Sequence, residues 1–362
     1  MTFVLDDSLF DDPARLADTD TRGLLRSAAL AGAQVRATAE AVAEVGLDEL
    51  ADSRPRAVVL LARPGVSPAV CRLLAALAGP MCPVPVVVTD TAPTWIGALD
   101  VVFAHTDDVG DPVLAESVSV AARRGAAVVL AVPSEGPVAA AVAGRAKVIP
   151  PKIPVPSALS FAHAFTTGLS VFGALGLLRP DFDTLADELD REAARAHPSN
   201  ELLMNPAKSL ALRLADRAPL LWGLDPVSTA VAEHGAFAFG CHAGVPCDVS
   251  DYAQAIARHA LHRAAQHVGS AADLFADPED NPGAAMRVFL VSARFDAESE
   301  AGERAAVRDL PGADLVTPGE SVRDDAVLRS ALLAARFDLA AVYLGLAAGT
   351  LNGPGWQALA MH

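Results

Sequence analysis

Short, uninterrupted apolar runs separated by helix-forming segments are the feature that most constrains the fold of this 362-residue chain. The runs cover residues 57–62, 85–88, 100–104, 126–131, 218–223 and 286–291, with shorter ones at 148–149 and 313–316. A run that is apolar at every position, not at every second one, is typical of a strand buried on both faces of a parallel sheet. Helical segments such as 112–124 and 226–239 lie between the runs. This alternation predicts an α/β fold with doubly wound parallel sheets.

The strand–helix series occurs twice, which suggests two related sheets. The segment 150–156 lies between the two series and contains four prolines in seven residues. It can form neither a helix nor a central strand. We therefore expect domains at 1–150 (N-terminal helices and the first sheet), 151–200 (the proline-rich seam and linking helices) and 201–362. The last of these contains the second sheet, a single helix over 253–268, a C-terminal helix over 324–346 and an irregular tail.

Composition and charge exclude several functions. The formal net charge is −16 and there is no basic stripe, which argues against a nucleic-acid partner. The longest apolar stretch, near 157–178, is interrupted by His163, Thr166, Thr167 and Ser170, and it predicts a buried helix and no membrane span. Four cysteines without CxxC spacing indicate a reduced, cytoplasmic protein. An acidic protein of this kind can bind a phosphorylated sugar only in a locally positive or dipole-lined pocket.

Short strings at the strand ends carry a family resemblance, and they occupy residues 62–67, 105–111, 131–136, 156–158, 219–223 and 240–246. Together with the order of elements, they resemble the bifunctional phosphoglucose/phosphomannose isomerases of the sugar isomerase (SIS) superfamily. Within that group the chain is most similar to the divergent TobH-like proteins. The resemblance implies two SIS-like doubly wound parallel-sheet domains packed with a cleft between them. It also implies a homodimer that uses neither a metal nor a nucleotide cofactor.

The resemblance also indicates where a sugar phosphate would bind. The family's glycine-rich turn after the first strand corresponds to 62–67, where Gly65 and Ser67 remain beside Arg63. Its hydroxyl-rich turn after the third strand corresponds to 105–111, which contributes Thr106. Its Thr-Ser-Gly-Gly turn after the fourth strand is matched by Ser134. A later Asn is replaced by His242.

Three carboxylates, those of Asp107, Asp108 and Asp111, replace hydroxyls in the second of these turns. They either bind a divalent cation or belong to a helix N-cap, where carboxylates are favoured. Without a bound cation, carboxylates in place of the hydroxyls would repel an anion, so we expect the usual phosphate cradle to be lost.

The catalytic positions have changed as well. Aldose–ketose isomerisation needs a base, usually a carboxylate, that removes a proton beside the carbonyl. The family's catalytic Glu corresponds to Cys241, and its ring-opening His corresponds to His259 after a small gap. The family's C-terminal Lys has no equivalent, because the last lysine is Lys208.

Two alternatives stay open for these positions. Cys241 and His242 form a nucleophile with its base, or half of a metal site, or simply a packed turn. His259 and His262 share a helix face that binds an anionic sugar with Arg258 and Arg263, or they lie on an ordinary solvated helix.

The resulting expectation is a phosphosugar isomerase-like protein of the glucose-6-phosphate/mannose-6-phosphate class, which acts on or binds a sugar phosphate with a degenerate active site. The alternative is a non-catalytic SIS-fold protein that senses a sugar phosphate or regulates an enzyme of mannose metabolism. A nucleotide-binding oxidoreductase is disfavoured, because no GxGxxG follows any strand.

Overall fold

The computed structural model describes residues 5–51, 53–215, 217–267, 286–319, 322 and 324–351. The chain packs into two compact units. The first-sheet unit is Leu30–Asp190, and the second-sheet unit combines the described residues up to Ala29 with those from Arg191 onward. The domain limits at 150 and 200 stay a prediction, because compact packing is a different criterion from a sequence boundary. The part of the predicted irregular tail that follows residue 351 lies outside the described residues.

Nine strands and fifteen α-helices lie within the described residues. The strands are β1 (Ala57–Leu61), β2 (Val86–Thr89), β3 (Asp100–His105), β4 (Ala127–Ala131), β5 (Ala146–Val148), β6 (Ala218–Gly223), β7 (Asp248–Asp251), β8 (Met286–Val291) and β9 (Asp314–Val316). The helices are α1 (Pro13–Thr19), α2 (Leu24–Ala28), α3 (Ala31–Val45), α4 (Asp48–Ala51), α5 (Ser67–Ala78), α6 (Pro112–Arg123), α7 (Pro137–Ala141), α8 (Phe161–Ala174), α9 (Phe182–Arg195), α10 (Pro206–Leu214), α11 (Pro226–Ala243), α12 (Tyr252–Ala257), α13 (His259–His267), α14 (Ala297–Asp309) and α15 (Ala326–Ala347).

The first-sheet unit contains a five-stranded parallel sheet in the order β2-β1-β3-β4-β5. Strands β1 and β3 are buried at every residue, as expected for central strands covered on both faces. On one face, Val59, Val102 and Leu130 pack against Leu114 and Val118 of α6. The parallel direction brings the carboxyl ends of β1, β3 and β4 to one edge, where ligands bind in open α/β sheets.

The second-sheet unit contains a four-stranded parallel sheet in the order β7-β6-β8-β9. Its core includes Trp222, Val288 and Leu290. Strand β6 ends at Gly223, where a Cβ atom would collide with the backbone nitrogen of Thr229 in α11. Glycine is therefore required for the close approach of β6 to this helix. The two parallel sheets confirm the predicted fold class.

Helix α15 is long and apolar enough to span a membrane by composition, but 94% of its most apolar window is buried inside the protein. It begins at the N-cap Asp325, whose carboxylate accepts from the backbone N–H groups of Val327 and Leu328. Its interior also contains the buried charged side chains Arg329 and Asp338. Helix α15 is therefore the core helix of the second-sheet unit.

The last lysine of the chain has a structural role in this unit. The Lys208 ammonium is buried and donates to the carbonyl oxygens of Phe10, Pro198 and Asn200 at 2.5, 2.7 and 2.9 Å. Burial lowers the pKa of Lys208. These bonds attach the N-terminal segment to α10, which explains why the described residues before Leu30 belong to the second-sheet unit.

The predicted single helix over 253–268 is wrong. The chain forms α12 and α13, interrupted at Arg258, whose φ of −81° and ψ of 68° are not helical. The Arg258 guanidinium makes two hydrogen bonds with the Asp248 carboxylate at 2.9 and 2.8 Å, which holds the break in place. Asp248 itself starts β7, a short edge strand whose polar sequence gave no apolar run to predict it.

Candidate functional site

Arg63 follows β1 at the carboxyl edge of the first sheet and forms an ion pair with Asp111. Its Nε lies 2.6 Å from Asp111 Oδ2, its Nη2 lies 3.2 Å from Oδ1, and its Nη1 donates to the carbonyl of Asp90 at 3.2 Å. Only 14% of the Arg63 side chain and 6% of the Asp111 side chain are exposed. The guanidinium is thus already engaged by a carboxylate of the same chain.

Asp111 is also the N-cap of α6. Its Oδ1 accepts from the backbone N–H groups of Val113 and Leu114, each at 3.0 Å. Burial alone would raise the pKa of Asp111, but the hydrogen bonds from Arg63 and from these N–H groups outweigh it and hold the pKa below its usual value. A helix N-terminus favours an anion. Here the anion is the protein's own carboxylate.

The hydroxyls predicted to bind substrate in the first-sheet unit have separate surroundings. Ser67 is fully buried; its Oγ accepts from the Arg63 backbone N–H at 3.3 Å and donates to the carbonyl of Leu61 at 3.5 Å. Thr106 is buried, and its Oγ1 accepts from the backbone N–H of Asp108 at 3.1 Å. Ser134 is exposed on the loop after β4. Only Arg63 and Ser67 are brought together directly.

Gly65 has a φ of 112°, a value that favours glycine, and a Cβ atom there would meet open space. The tight turn after β1 therefore exists, as the resemblance implied. Its arginine and its serine are engaged within the protein, so the backbone conformation is kept while the side chains serve the fold.

A buried polar cluster at the end of β3 was not predicted as a site. The Oγ of Ser160 donates to Asp107 Oδ2 at 2.7 Å and lies 3.5 Å from His105 Nε2. The His105 ring meets the His163 ring edge to face at 6.2 Å, and His163 Nδ1 lies 3.0 Å from Thr38 Oγ1. The sequence signal for this cluster was a histidine within each of two apolar segments. The residues that these histidines contact come from distant parts of the chain, so the sequence did not show the cluster.

Burial governs the protonation of this cluster. It lowers the pKa of His105 to about 4 and that of His163 to about 3, the latter helped by the neighbouring His105. It also raises the pKa of Asp107. Both imidazoles are therefore neutral at physiological pH. Among the described residues, His105 Nδ1 has no hydrogen-bond partner.

In the second-sheet unit, Cys241 and His242 lie in the last turn of α11. Burial, together with the negative charge of Asp338, raises the pKa of the Cys241 thiol, so it is protonated at neutral pH. Burial lowers the pKa of His242, and neither of its ring nitrogens has a hydrogen-bond partner among the described residues. A thiol that is protonated at neutral pH cannot act there as a general base.

His259 is the exposed first residue of α13. His262, three residues later, is held differently: its Nε2 lies 2.6 Å from Asp309 Oδ2, which also accepts from the Tyr252 hydroxyl at 2.7 Å. Arg258 pairs with Asp248. The described part of this helix pair therefore keeps Arg258 and His262 engaged, whereas the imidazoles of His259 and His267 are exposed. Nowhere in the described ranges do three His, Cys, Asp or Glu residues lie close enough to hold a metal ion.

No protein-family model matches this chain, and no curated protein matches it in sequence. Solved structures match most of its length. A Silicibacter pomeroyi protein provisionally described as a phosphosugar isomerase is 15% identical with a TM-score of 0.61, covering 90% of this chain and 98% of its own. The tagatose-6-phosphate ketose/aldose isomerase of Escherichia coli is 12% identical with a TM-score of 0.59, covering 95% and 96%.

The C-terminal domain of glucosamine-fructose-6-phosphate aminotransferase from Francisella tularensis is 10% identical with a TM-score of 0.58, covering 90% of this chain and 96% of that one. At these identities the likeness concerns the fold alone. The chain therefore has the same two-sheet α/β fold as these proteins, which agrees with the predicted architecture.

Proposed function

We propose that this protein is a phosphosugar isomerase-like protein that binds a sugar phosphate of the glucose-6-phosphate/mannose-6-phosphate class and no longer isomerises it. The shared SIS-type fold supports the ligand class, by analogy with the proteins that have it. The bifunctional phosphoglucose/phosphomannose isomerases, and the TobH-like proteins among them, remain the family we propose. A cytoplasmic homodimer belongs to the same proposal.

The observation that carries the loss of turnover is the Arg63–Asp111 pair at the start of α6. A substrate phosphate at this turn would compete with a carboxylate that already has a guanidinium and two backbone N–H groups. A phosphate and the Asp111 carboxylate, both negative, would repel each other at the start of α6, and a helix N-terminus stabilises one anion better than two. In this proposal, the Asp111 carboxylate takes the place that a substrate phosphate would have at this helix start.

The proton-transfer positions support the same conclusion. Isomerisation at neutral pH needs a base near the carbonyl carbon of the sugar. Cys241, at the position of the family's Glu, has a thiol pKa raised further above neutrality by burial. If turnover is found, His259 is the residue we assign to ring opening, because it is exposed and has no competing hydrogen bond within the described part of the chain.

The alternative function, a non-catalytic sensor or a regulatory partner of an enzyme of mannose metabolism, is favoured by the same Asp111 geometry. Binding without turnover is what a sensor requires. The two proposals differ in whether the bound sugar phosphate changes a second protein.

The test is to incubate the pure protein with fructose 6-phosphate, assay glucose 6-phosphate and mannose 6-phosphate by coupled enzymes, and record thermal unfolding with the same sugars. We expect stabilisation without product. Product formation would contradict the loss of catalysis, and in that case His259→Ala should abolish it, with His267→Ala, on the same helix, as the control. The absence of both product and stabilisation would contradict the ligand class.

A further inference from the structure

A cavity of about 430 Å³ opens in the second-sheet unit at the carboxyl end of β9. Ligand pockets commonly measure roughly 300–1,000 Å³, so a small metabolite fits this volume. Its described lining includes three arginines (Arg195, Arg213 and Arg336) and the hydroxyl residues Ser209 and Thr317. The rest of the described lining is apolar or glycine: Leu203, Met204, Pro206, Leu210, Leu315, Val316, Pro318 and Gly319. No carboxylate belongs to that lining. Such a wall is unexpected in a chain of net charge −16.

The carboxylates behind this wall are each shared by two arginines. Glu192, whose side chain is fully buried, lies 2.6 Å from Arg336 Nε and 3.1 Å from Arg195 Nη2. Asp314 lies 3.1 Å from Arg213 Nη1 and also pairs with Arg287. Two carboxylates thus face four guanidinium groups. The excess positive charge lies on the cavity side, where Arg195, Arg213 and Arg336 form the wall.

The loop that closes the cavity is held rigidly by two arginines of α15. Arg336 donates to the carbonyl of Thr317 at 2.8 Å and to that of Pro318 at 3.4 Å. Arg329 donates to the Thr317 hydroxyl at 2.9 Å and to the carbonyl of Gly319 at 3.1 Å. The wall is therefore organised before any ligand arrives, which lowers the entropic cost of binding.

Donor groups remain for a ligand. The side chains of Arg195 and Arg213 are 42% and 34% exposed, whereas that of Arg336 is 11% exposed. Arg195 Nη2 forms an ion pair with Glu192 without a hydrogen bond, whereas Arg213 donates from Nη1 to Asp314 and from Nε to the carbonyl of Ser209. Within the described residues, Arg195 Nε and Nη1, Arg213 Nη2 and the Ser209 hydroxyl have no partner. Guanidinium groups recognise phosphate through two parallel N–H···O bonds.

We propose that this cavity binds a phosphate monoester, with Arg195 and Arg213 on the phosphate oxygens and the apolar mouth at Leu203 and Met204 against the carbon skeleton. The phosphate half rests on the arginines alone. That the skeleton is a sugar rests on the proposed function. The anion site of this chain is then in the second-sheet unit, on residues outside every position that the family resemblance indicated.

The test is calorimetric titration of the full-length protein with inorganic phosphate and with glucose 6-phosphate. We expect one site, tighter for glucose 6-phosphate, and a loss of affinity of about tenfold per arginine in Arg195→Gln, Arg213→Gln and the double variant. The matched control is the double variant Arg304→Gln and Arg308→Gln. It removes the same charge from exposed positions of α14, and its affinity should be unchanged. The single variants and the Lys substitutions at 195 and 213 keep the test usable if the double variant does not fold.

The outcomes separate the two proposals. If glucose 6-phosphate binds but Arg195→Gln and Arg213→Gln leave its affinity unchanged, the cavity assignment is overturned and the proposed function stands. If phosphate binds at the arginines and glucose 6-phosphate binds no tighter, the cavity assignment stands and the sugar is overturned. If neither binds to the wild-type protein, both are overturned.

Discussion

The two units differ in how many arginines share each carboxylate. At the edge of the first sheet, one guanidinium, Arg63, meets one carboxylate, Asp111, at the start of a helix, and the charges cancel. At the end of β9 in the second-sheet unit, Arg195 and Arg336 share Glu192, and Arg213 and Arg287 share Asp314. The difference teaches that the ratio of guanidinium to carboxylate groups, and not the presence of arginine, decides whether a turn can accept an external anion.

The largest effect is expected from breaking the buried pair of the second-sheet unit. Arg336→Met leaves the buried Glu192 with Arg195 alone and removes two bonds to the 317–318 carbonyls. We expect a loss of about 3 kcal/mol in the free energy of unfolding, at the low end for a broken buried pair because one partner remains. Urea denaturation measures it. Arg63→Met is the comparison and should cost about 1–2 kcal/mol, since Asp111 keeps the N–H groups of α6. Equal costs would remove the distinction between the units.

The next effect is a pH dependence that belongs to the first-sheet unit. The pKa values of His105 and His163 are about 4 and about 3 in the folded protein, below the ordinary value of 6.5. The unfolded chain therefore binds more protons below pH 6.5, and stability falls as the pH drops from there towards 4. Each histidine contributes about 1.4 kcal/mol per pH unit. Asp107, with its raised pKa, acts in the opposite direction.

Denaturation at pH 6 and pH 5 measures this slope, and His105→Gln should reduce it by one histidine's share. The exposed His197→Gln is the control. An unchanged slope in His105→Gln would show that His105 is not neutral and buried.

A third prediction would make the two units alike. Asp111→Ser keeps an N-cap hydroxyl for α6 but removes the carboxylate that pairs with Arg63. We expect a loss of about 1 kcal/mol in stability and a second phosphate site, so that the stoichiometry in calorimetry rises from one to two. Asp12→Ser, at the exposed N-cap of α1, is the control and should leave it at one. No second site would mean that Asp111 is a cap and does not replace a phosphate.

The smallest effect is expected at Cys241. Its thiol is protonated and no hydrogen bond to it lies within the described residues, so Cys241→Ser should change stability and sugar-phosphate affinity by no more than about 0.5 kcal/mol. Thermal unfolding with and without glucose 6-phosphate checks both. A large loss of affinity would return Cys241 to the binding site.

The strands were predictable because their signal is local. The runs at 218–223 and 286–291 coincide with β6 and β8, and the other predicted strands differ from the observed ones by a few residues. The break at Arg258 was not predictable from helical spacing, because it depends on Asp248, ten residues away. Sequence reasoning identified Asp111 as a candidate helix cap and Arg63 as a candidate anion-binding residue. It could not show that these two side chains, 48 positions apart in the sequence, form an ion pair with each other.

The arginine cavity was also beyond the reach of sequence. Its cationic residues come from α9, α10 and α15, and they form no basic run along the chain. The expectation that an acidic protein needs a locally positive or dipole-lined pocket stays a prediction, and it named no residue of this cavity. Charge sharing of this kind is visible only once the helices pack.

A crystal structure of the protein grown with glucose 6-phosphate tests the central claim most directly. The account predicts the phosphate group within hydrogen-bond distance of Arg195 and Arg213, with the Arg63–Asp111 pair intact at the start of α6. A phosphate bound to Arg63 with Asp111 displaced would contradict it.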